Sequence, residues 1–373
     1  MTSKPRLLYV VTEDWYFVSH RLPLAVAAQE NGFEVAVATR EGCHGDVIRN
    51  AGIRLIPFSL SRRGGEPISE VTALWRLYRH EQPDLVHHVA LKPVMFGALA
   101  AWLARVPAQV NAVAGLGWLF SSSSAVVRIA RPPFRWLLGR LLDQTHSLTI
   151  VQNPEDMALL ERSGVTASRL RLIRGAGVDI NVFRPAKPPP APICIVLVAR
   201  MLWAKGVGDF VEAARQLTGA GVNARFLLAG EPDPANPDSV PEETLRNWHG
   251  KHGVEWLGRR DDMPAVLQAA HIACLPSYYG EGLPKSLLEA LACGLPIVTT
   301  DSPGCREVVR DGLNGFLVPI RDTHSLSAAL KKLIDDSNLR RNMGERSRQR
   351  AEHEFSLEAV IAQTLVLYRE ALR

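Results

Sequence analysis

Along the first third of the chain, short apolar runs alternate with segments whose apolar positions recur at helical spacing. The order is Arg6–Val11, Leu22–Glu30, Glu34–Ala38, Arg54–Phe58, Ile68–His80, Leu85–Val89, Val94–Ala104 and Gln109–Val113. Unbroken apolar strands separated by helices predict a parallel sheet covered on both faces. The pattern restarts with Ile193–Val198, Gly208–Leu217, Ala224–Ala229, Glu255–Leu257, Met263–Ala269, Ile272–Leu275, Leu287–Ala292 and Pro296–Thr299. Two Rossmann-like α/β domains are therefore expected, spanning 1–184 and 193–354. Between them, residues 185–192 belong to a stretch with five prolines in nine residues, from Arg184 to Pro192, which favours a stiff extended connector.

After Val318 the chain reads as helical and charged. Residues 355–373 end it with an amphipathic period through Leu357, Val360, Ile361, Thr364, Leu365 and Tyr368, expected to pack back across both domains. Residues 126–142 hold a second such period. Phe134, Leu137, Leu138, Leu141 and Leu142 form one apolar stripe with Arg128, Arg131, Arg135 and Arg140 alongside, suited either to a core or to an anionic membrane surface. The serines 121–124 read as a loop.

The chain has 373 residues, 47% hydrophobic and 22% charged, with mean hydropathy +0.00, which excludes disorder and a polytopic membrane protein. Leu7–Val11 is too short, and too soon followed by Glu13 and Asp14, for a secretory segment, so a cytoplasmic chain is expected. The five cysteines, at 43, 194, 274, 293 and 305, have no C-x-x-C spacing and mostly sit in apolar runs, as reduced core thiols do. Net charge is +5, and residues 1–186 hold 21 basic and 15 acidic side chains against 22 and 23 in the rest. The surplus suits a phosphorylated ligand, nucleic acid or an anionic membrane, and charge alone does not choose.

Candidate chemistry concentrates in the second domain. Ser277 to Gly294 follows an apolar strand, with Pro284 expected at the first helical position and Gly294 past the helix end, so the free N–H groups of that start point to a phosphate site. Arg200 and Lys205 leave the end of the first strand of the same domain, where both reach one crevice and suit a diphosphate. Glu281 and Glu289 stand eight residues apart, a spacing that alone fits a helix-terminus carboxylate and a solvated helix residue equally well. There is neither a Walker loop nor G-x-G-x-x-G, which disfavours an ATPase or a nicotinamide enzyme.

Taken together, these pieces resemble the retaining glycosyltransferases of family 4, which have the GT-B fold of two Rossmann-like domains facing across a cleft. The resemblance covers nearly the whole chain. It rests on Arg200 and Lys205, the turn at Gly258 and Arg259, the E-x(7)-E pair Glu281 and Glu289 with Gly282, Leu283 and Pro284, the stretch Gly294 to Asp301, Gly304 and Glu307, and Asp311 to Val318. It implies that Arg200 and Lys205 hold the donor diphosphate and stabilise the leaving group, with no metal and no other cofactor. It also implies that Gly282–Pro284 line the phosphates and sugar, Glu281 meets the donor sugar, Glu289 binds the ribose hydroxyls, and Gly258 and Arg259 meet the base of a UDP-sugar.

The stretch Thr12 to Arg21, with Val86–Pro93 and Asn111–Trp118, is similar to the subgroup that extends polyprenyl-diphosphate-linked saccharides for bacterial surface polysaccharides and glycans. The expected partners are then a nucleotide sugar, a lipid-linked acceptor and the inner face of the plasma membrane through 126–142, not nucleic acid. His20 with Arg21 is expected to open the first helix and face the acceptor, making His20 the catalytic candidate on that side. His87 and His88 suit either a core or a substrate contact, and Lys92 is a weaker candidate. The alternatives are a soluble acceptor, or a non-catalytic nucleotide-sugar-binding protein.

Overall fold

A computed structural model of the protein describes residues 4–61, 66–113, 125–187, 189–278 and 282–373. The chain divides into two units, Met1–Ala176 with Ala359–Arg373, and Gly177–Glu358.

In the first unit the described strands are β1 (Arg6–Glu13), β2 (Glu34–Arg40), β3 (Arg54–Pro57), β4 (Leu85–Val89), β5 (Ala108–Ala112), β6 (Ser147–Val151) and β7 (Leu170–Leu172). They form one parallel sheet in the order β3-β2-β1-β4-β5-β6-β7. β4 and β5 are buried along their whole length, including their polar residues His87, His88, Gln109 and Asn111. Alternate residues feed two cores. Leu7, Tyr9 and Val11 pack with Val360, Leu365, Leu367 and Tyr368 of the last helix, and Leu8 and Val10 pack with Leu74 and Tyr78. The Tyr368 hydroxyl lies 2.8 Å from the Tyr9 hydroxyl and 2.5 Å from His87 Nδ1, so the chain end is pinned to mid-sheet.

His88 lies on the other face, in a closed polar chain. Its Nδ1 is 2.7 Å from Asn111 Oδ1, its Nε2 is 2.9 Å from the Tyr78 hydroxyl, and Asn111 donates to Ser147 Oγ at 2.9 Å. Burial pushes the His88 imidazole down to about 4, so it is neutral at physiological pH. Gly97, in the helix Leu91–Ala104, abuts this ring: a Cβ there would fall 2.3 Å from His88 Cδ2. The ring is held at both nitrogens and has nowhere to move. Gly97→Ala is therefore expected to cost about 2–3 kcal/mol by overpacking, read as a lowered urea midpoint for the first unit. An unchanged midpoint would show that the ring can shift.

In the second unit the described strands are β8 (Ile193–Val198), β9 (Ala224–Ala229), β10 (Val254–Gly258), β11 (Ile272–Leu275), β12 (Ile297–Thr300) and β13 (Gly315–Val318), parallel in the order β10-β9-β8-β11-β12-β13. Cys194, Cys274, Cys293 and Cys305 are buried in its core as thiols, and Cys43 is an exposed thiol of the first unit.

The division between units falls at Ala176 and Gly177, ahead of the proline-rich stretch, and the return falls at Ala359 instead of 355. The physical reason is a pair of hydrogen bonds: Val178 N–H donates to Phe355 O and Leu357 N–H donates to Val178 O, both at 2.9 Å. Residues 177–187 and Pro189 then lie along the second unit. The Arg348 guanidinium donates to the carbonyls of Ile180 and Phe183, Gln268 donates to Arg184 O, and His271 Nε2 donates to Pro189 O.

The helix Ala125–Leu142 divides its apolar stripe in two. Leu138, Leu141 and Leu142 are buried against Val94, Met95 and Ala98, and Phe134 packs at the edge of that core. Trp136 and Leu137 remain 66% and 41% exposed. Most of the stripe proposed for a membrane is thus core, and among the described side chains of this helix the large apolar ones left outside are Trp136 and Leu137. The serines 121–124 and most of Asn111–Trp118 lie outside the described residues.

Candidate active site

The sequence-derived candidates of the second unit leave the C-terminal ends of β8, β10 and β11, three strands of one parallel sheet. That edge is where open α/β sheets bind ligands. Past β8, Met201 N–H donates to Glu231 O, and the Arg200 guanidinium reaches Asp233 Oδ2 at 2.7 Å, both partners sitting on the loop after β9. Lys205 ends a short 3-10 turn, Trp203–Lys205. Neighbouring loops hold that turn: Trp203 N–H donates to Asp238 O at 2.8 Å, Ala204 N–H donates to Asp238 Oδ2 at 2.7 Å, and Ala204 O accepts from Tyr278 N–H at 3.0 Å and from Ser277 Oγ at 3.1 Å.

The next residue must be glycine. Gly206 has φ +74°, and a Cβ there would lie 2.1 Å from Pro276 O, so the turn and the segment after β11 are in backbone contact. Gly206 also N-caps the helix Val207–Gly219, with no side chain capping its first N–H groups. The Thr300 hydroxyl donates to Ser277 O and fixes the same segment from β12. The Tyr278 ring has Arg321 stacked 4.4 Å from its centre. Burial raises the Asp209 carboxyl, in the first turn of that helix, against the lowering effect of Arg321.

Gly282, Leu283 and Pro284 lead into the helix Lys285–Ala292, and Pro284 is the N-cap, one position before the expected first helical residue. Gly294, φ +71°, follows the C-cap Cys293, as a residue ending a helix does. Glu281 lies outside the described residues. The Glu289 side chain is 12% exposed, with Lys285 Nζ at 3.6 Å. Burial raises its carboxyl above the ordinary range, and Lys285 opposes this only in part. Gly258, φ +66°, closes β10 and accepts from Gly230 N–H at 2.8 Å, and Arg259 faces Asp261 at 3.3 Å and Glu231 at 3.9 Å.

A raised carboxyl means the folded protein binds the Glu289 proton more tightly than the unfolded chain. Stability is then lost as pH rises from the ordinary glutamate value through the raised one. Glu289→Gln is expected to melt higher than the parent at pH 8, with the gain shrinking toward pH 4. A difference independent of pH would show that the carboxylate carries no burial cost.

This edge gathers two cations, uncapped helix N–H groups and close backbone turns, an arrangement whose chemistry suits a diphosphate. The model of the family described as Glycosyl transferases group 1 matches residues 180–350, and that of Glycosyl transferase 4-like matches residues 6–150. The chain is a glycosyltransferase, its two halves matched by these two models. A relative from Campylobacter jejuni, N,N'-diacetylbacillosaminyl-diphospho-undecaprenol alpha-1,3-N-acetylgalactosaminyltransferase, is 28% identical over 89% of this chain and 90% of its own length. UDP-Gal:alpha-D-GlcNAc-diphosphoundecaprenol alpha-1,3-galactosyltransferase of Escherichia coli is 27% identical over 73% of this chain and 72% of its own. The crystal structure of Anabaena HepE in complex with UDP and glucose matches with a TM-score of 0.78 at 18% identity, covering 97% of this chain and 99% of that one, which shows the shared GT-B fold.

In this glycosyltransferase the acceptor-side candidates of the first unit stand differently from expectation. His20 and Arg21 stand between two helices: they close a short helix, Asp14–His20, that was not expected, and Arg21 is the N-cap of the helix Leu22–Glu30 that they were expected to open. The helix starts at Asp14, whose buried carboxylate accepts from the N–H groups of Trp15, Gly42 and His44 at 2.7, 2.7 and 2.9 Å. The His20 ring stacks on Tyr16 at 4.1 Å. His87 and His88 are wholly buried core histidines, and Lys92 is paired with Glu70 at 2.8 Å.

Asp233, Asp238 and Gly230 of this edge were not singled out from sequence. The signal was Ala229-Gly-Glu-Pro-Asp233, a glycine and two acids directly after a strand. The glycine is required, since a Cβ on Gly230 would fall 1.9 Å from Ala199 O.

Proposed function

We propose that this glycosyltransferase moves a sugar, with retention of configuration and without a metal, from a UDP-sugar to a polyprenyl-diphosphate-linked saccharide at a membrane surface. The donor sugar proposed is an N-acetylhexosamine. The observation that carries the acceptor is the likeness, over nine-tenths of both chains, to a transferase named for an undecaprenol-diphosphate acceptor and N-acetylgalactosamine transfer. The donor half is supported by Arg200 and Lys205 at the diphosphate edge, the Gly282–Pro284 entry to a helix, and Glu289 behind it. In this reading Glu281 meets the donor sugar, Gly258 and Arg259 meet the base, and Glu289 accepts from the ribose hydroxyls. Glu289→Gln then weakens UDP by roughly 1–3 kcal/mol. His20 is kept as the acceptor-side candidate, now at a helix end.

Charge on the leaving diphosphate is taken up by the two side-chain cations, which is the term expected to dominate the barrier. Among the described residues no helix is long and apolar enough to cross a membrane. Contact with an anionic surface falls to Trp136, Leu137 and Arg140 of the 126–142 segment. A second reading, transfer to a soluble acceptor, is favoured by the burial of Leu138, Leu141 and Leu142, which removes most of the proposed membrane stripe. The deciding experiment incubates purified protein with a panel of UDP-sugars and either an undecaprenyl-diphosphate-linked saccharide or free saccharides. Anomeric configuration of the product is read by NMR. Transfer only to free saccharides, or an inverted product, overturns the proposal.

A further inference from the structure

A cavity of about 670 Å³ opens in the first unit at the N-terminal ends of β5 and β6, the sheet edge opposite the one where α/β sheets place their chemistry. Its size is within the range of small-molecule sites. The wall comes from the end of the helix Leu91–Ala104, where Trp102 is 59% exposed beside an exposed Leu103, and from Arg105, which turns the chain through φ +57°. The floor is polar and rigidly held. Gln109 N–H donates to His146 O at 2.8 Å, Ser147 N–H donates to Gln144 O at 3.0 Å, and the Arg169 guanidinium donates to Thr145 O.

One floor group has an unmet demand. The Gln109 side chain donates through Nε2 to Gln144 Oε1 at 3.2 Å, while its own Oε1 is buried and has no hydrogen-bond partner. Gln109 is only 2% exposed. Exchanging the oxygen and nitrogen of the amide leaves the same terminal position unmet. A buried amide atom without a partner costs about 1–3 kcal/mol, so the two linked amides beneath the cavity are held short of their full hydrogen bonding.

The lining narrows the ligand. It includes Arg105 and His146 and no carboxylate, which disfavours a cation. The amide floor disfavours a purely apolar guest. An indole at the wall and two linked amides below match a pyranose, which offers a flat C–H face to the ring and hydroxyls that both donate and accept. We propose that this cavity is a saccharide-binding site separate from the donor site, holding one or two sugar units of a glycan. The proposal stands whether the acceptor is lipid-linked or soluble.

The test is ligand-observed NMR and calorimetry on the full chain with N,N'-diacetylchitobiose, lactose and maltotriose, in the presence of saturating UDP. At least one saccharide is expected to bind with a dissociation constant on the order of 1 mM, unchanged by UDP. Trp102→Ala is expected to weaken it about 10-fold and Trp102→Phe to restore most of the loss. Gln144→Ala, at a half-buried position, weakens it several-fold and serves if Trp102→Ala does not fold. Undiminished UDP affinity certifies the fold of each variant's donor unit, and circular dichroism melting certifies the first. The absence of saturable binding by any of the three below about 10 mM, or binding equal to the parent in both alanine variants, overturns the site.

Discussion

Replacing Lys205 with alanine is expected to lower turnover by about 10²-fold or more while leaving the fold intact. The side chain is half-buried and springs from the end of a turn whose backbone is fixed by Asp238, Ser277 and Tyr278, so in the proposed reading its ammonium has a fixed base from which to meet the donor. A preorganised cation acts where negative charge grows, on the leaving diphosphate, and no reorganisation is needed at the moment of reaction. The loss should therefore appear in turnover more than in binding of the ground-state nucleotide. Arg200 works from a different support, its guanidinium oriented by Asp233 at 2.7 Å. Arg200→Lys keeps the charge and loses the planar fork, so it should be impaired almost as much as Arg200→Ala. Added chelator should leave the parent rate unchanged. Near-normal turnover of Lys205→Ala in chelator would remove the cation from the mechanism.

The parts of the fold that were legible are those decided locally. Ile193–Val198, Ala224–Ala229 and Ile272–Leu275 are strands β8, β9 and β11 to the residue, because a strand buried on both faces is an unbroken apolar run between turn residues. Strand β6 was missed since Ser147 and Thr149 are polar yet buried, and Ser147 is met by the amide of Asn111 from a neighbouring strand. The helix Asp14–His20 was missed because aromatic and β-branched residues hide its period and its N-terminal support comes from a loop nearly thirty residues away. The unit boundary depends on Val178 bonding to Phe355 and Leu357, a pairing no local pattern encodes. Arg200 and Lys205 were legible as candidates from their place after a strand. Their supports Asp233 and Asp238 were not, because a carboxylate in a loop has the same appearance whether it faces water or holds an arginine.

The helix Ala125–Leu142 carries the sharpest division between fold and membrane. Leu138→Ser, Leu141→Ser and Leu142→Ser together empty a core shared with Val94, Met95 and Ala98 and place hydroxyls in it, at a cost of several kcal/mol, so little soluble protein is expected. Trp136→Ser with Leu137→Ser removes only exposed surface, and the melting temperature should hold within a degree or two. If this face meets a membrane, the parent should bind anionic vesicles in preference to neutral ones, and salt should release it, because each arginine near the surface contributes about 1 kcal/mol that ions screen. The Trp136 and Leu137 double variant should then lose vesicle binding while transfer to a detergent-solubilised acceptor continues, since neither residue lies in the donor unit. Phe134 is left unchanged in this test because it packs at the edge of the core. Vesicle binding that ignores lipid charge, or that survives the double substitution, would detach this helix from the membrane and favour the soluble acceptor. A collapse of the double variant's melting temperature would instead mean that Trp136 covers core, making its exposed face part of the fold.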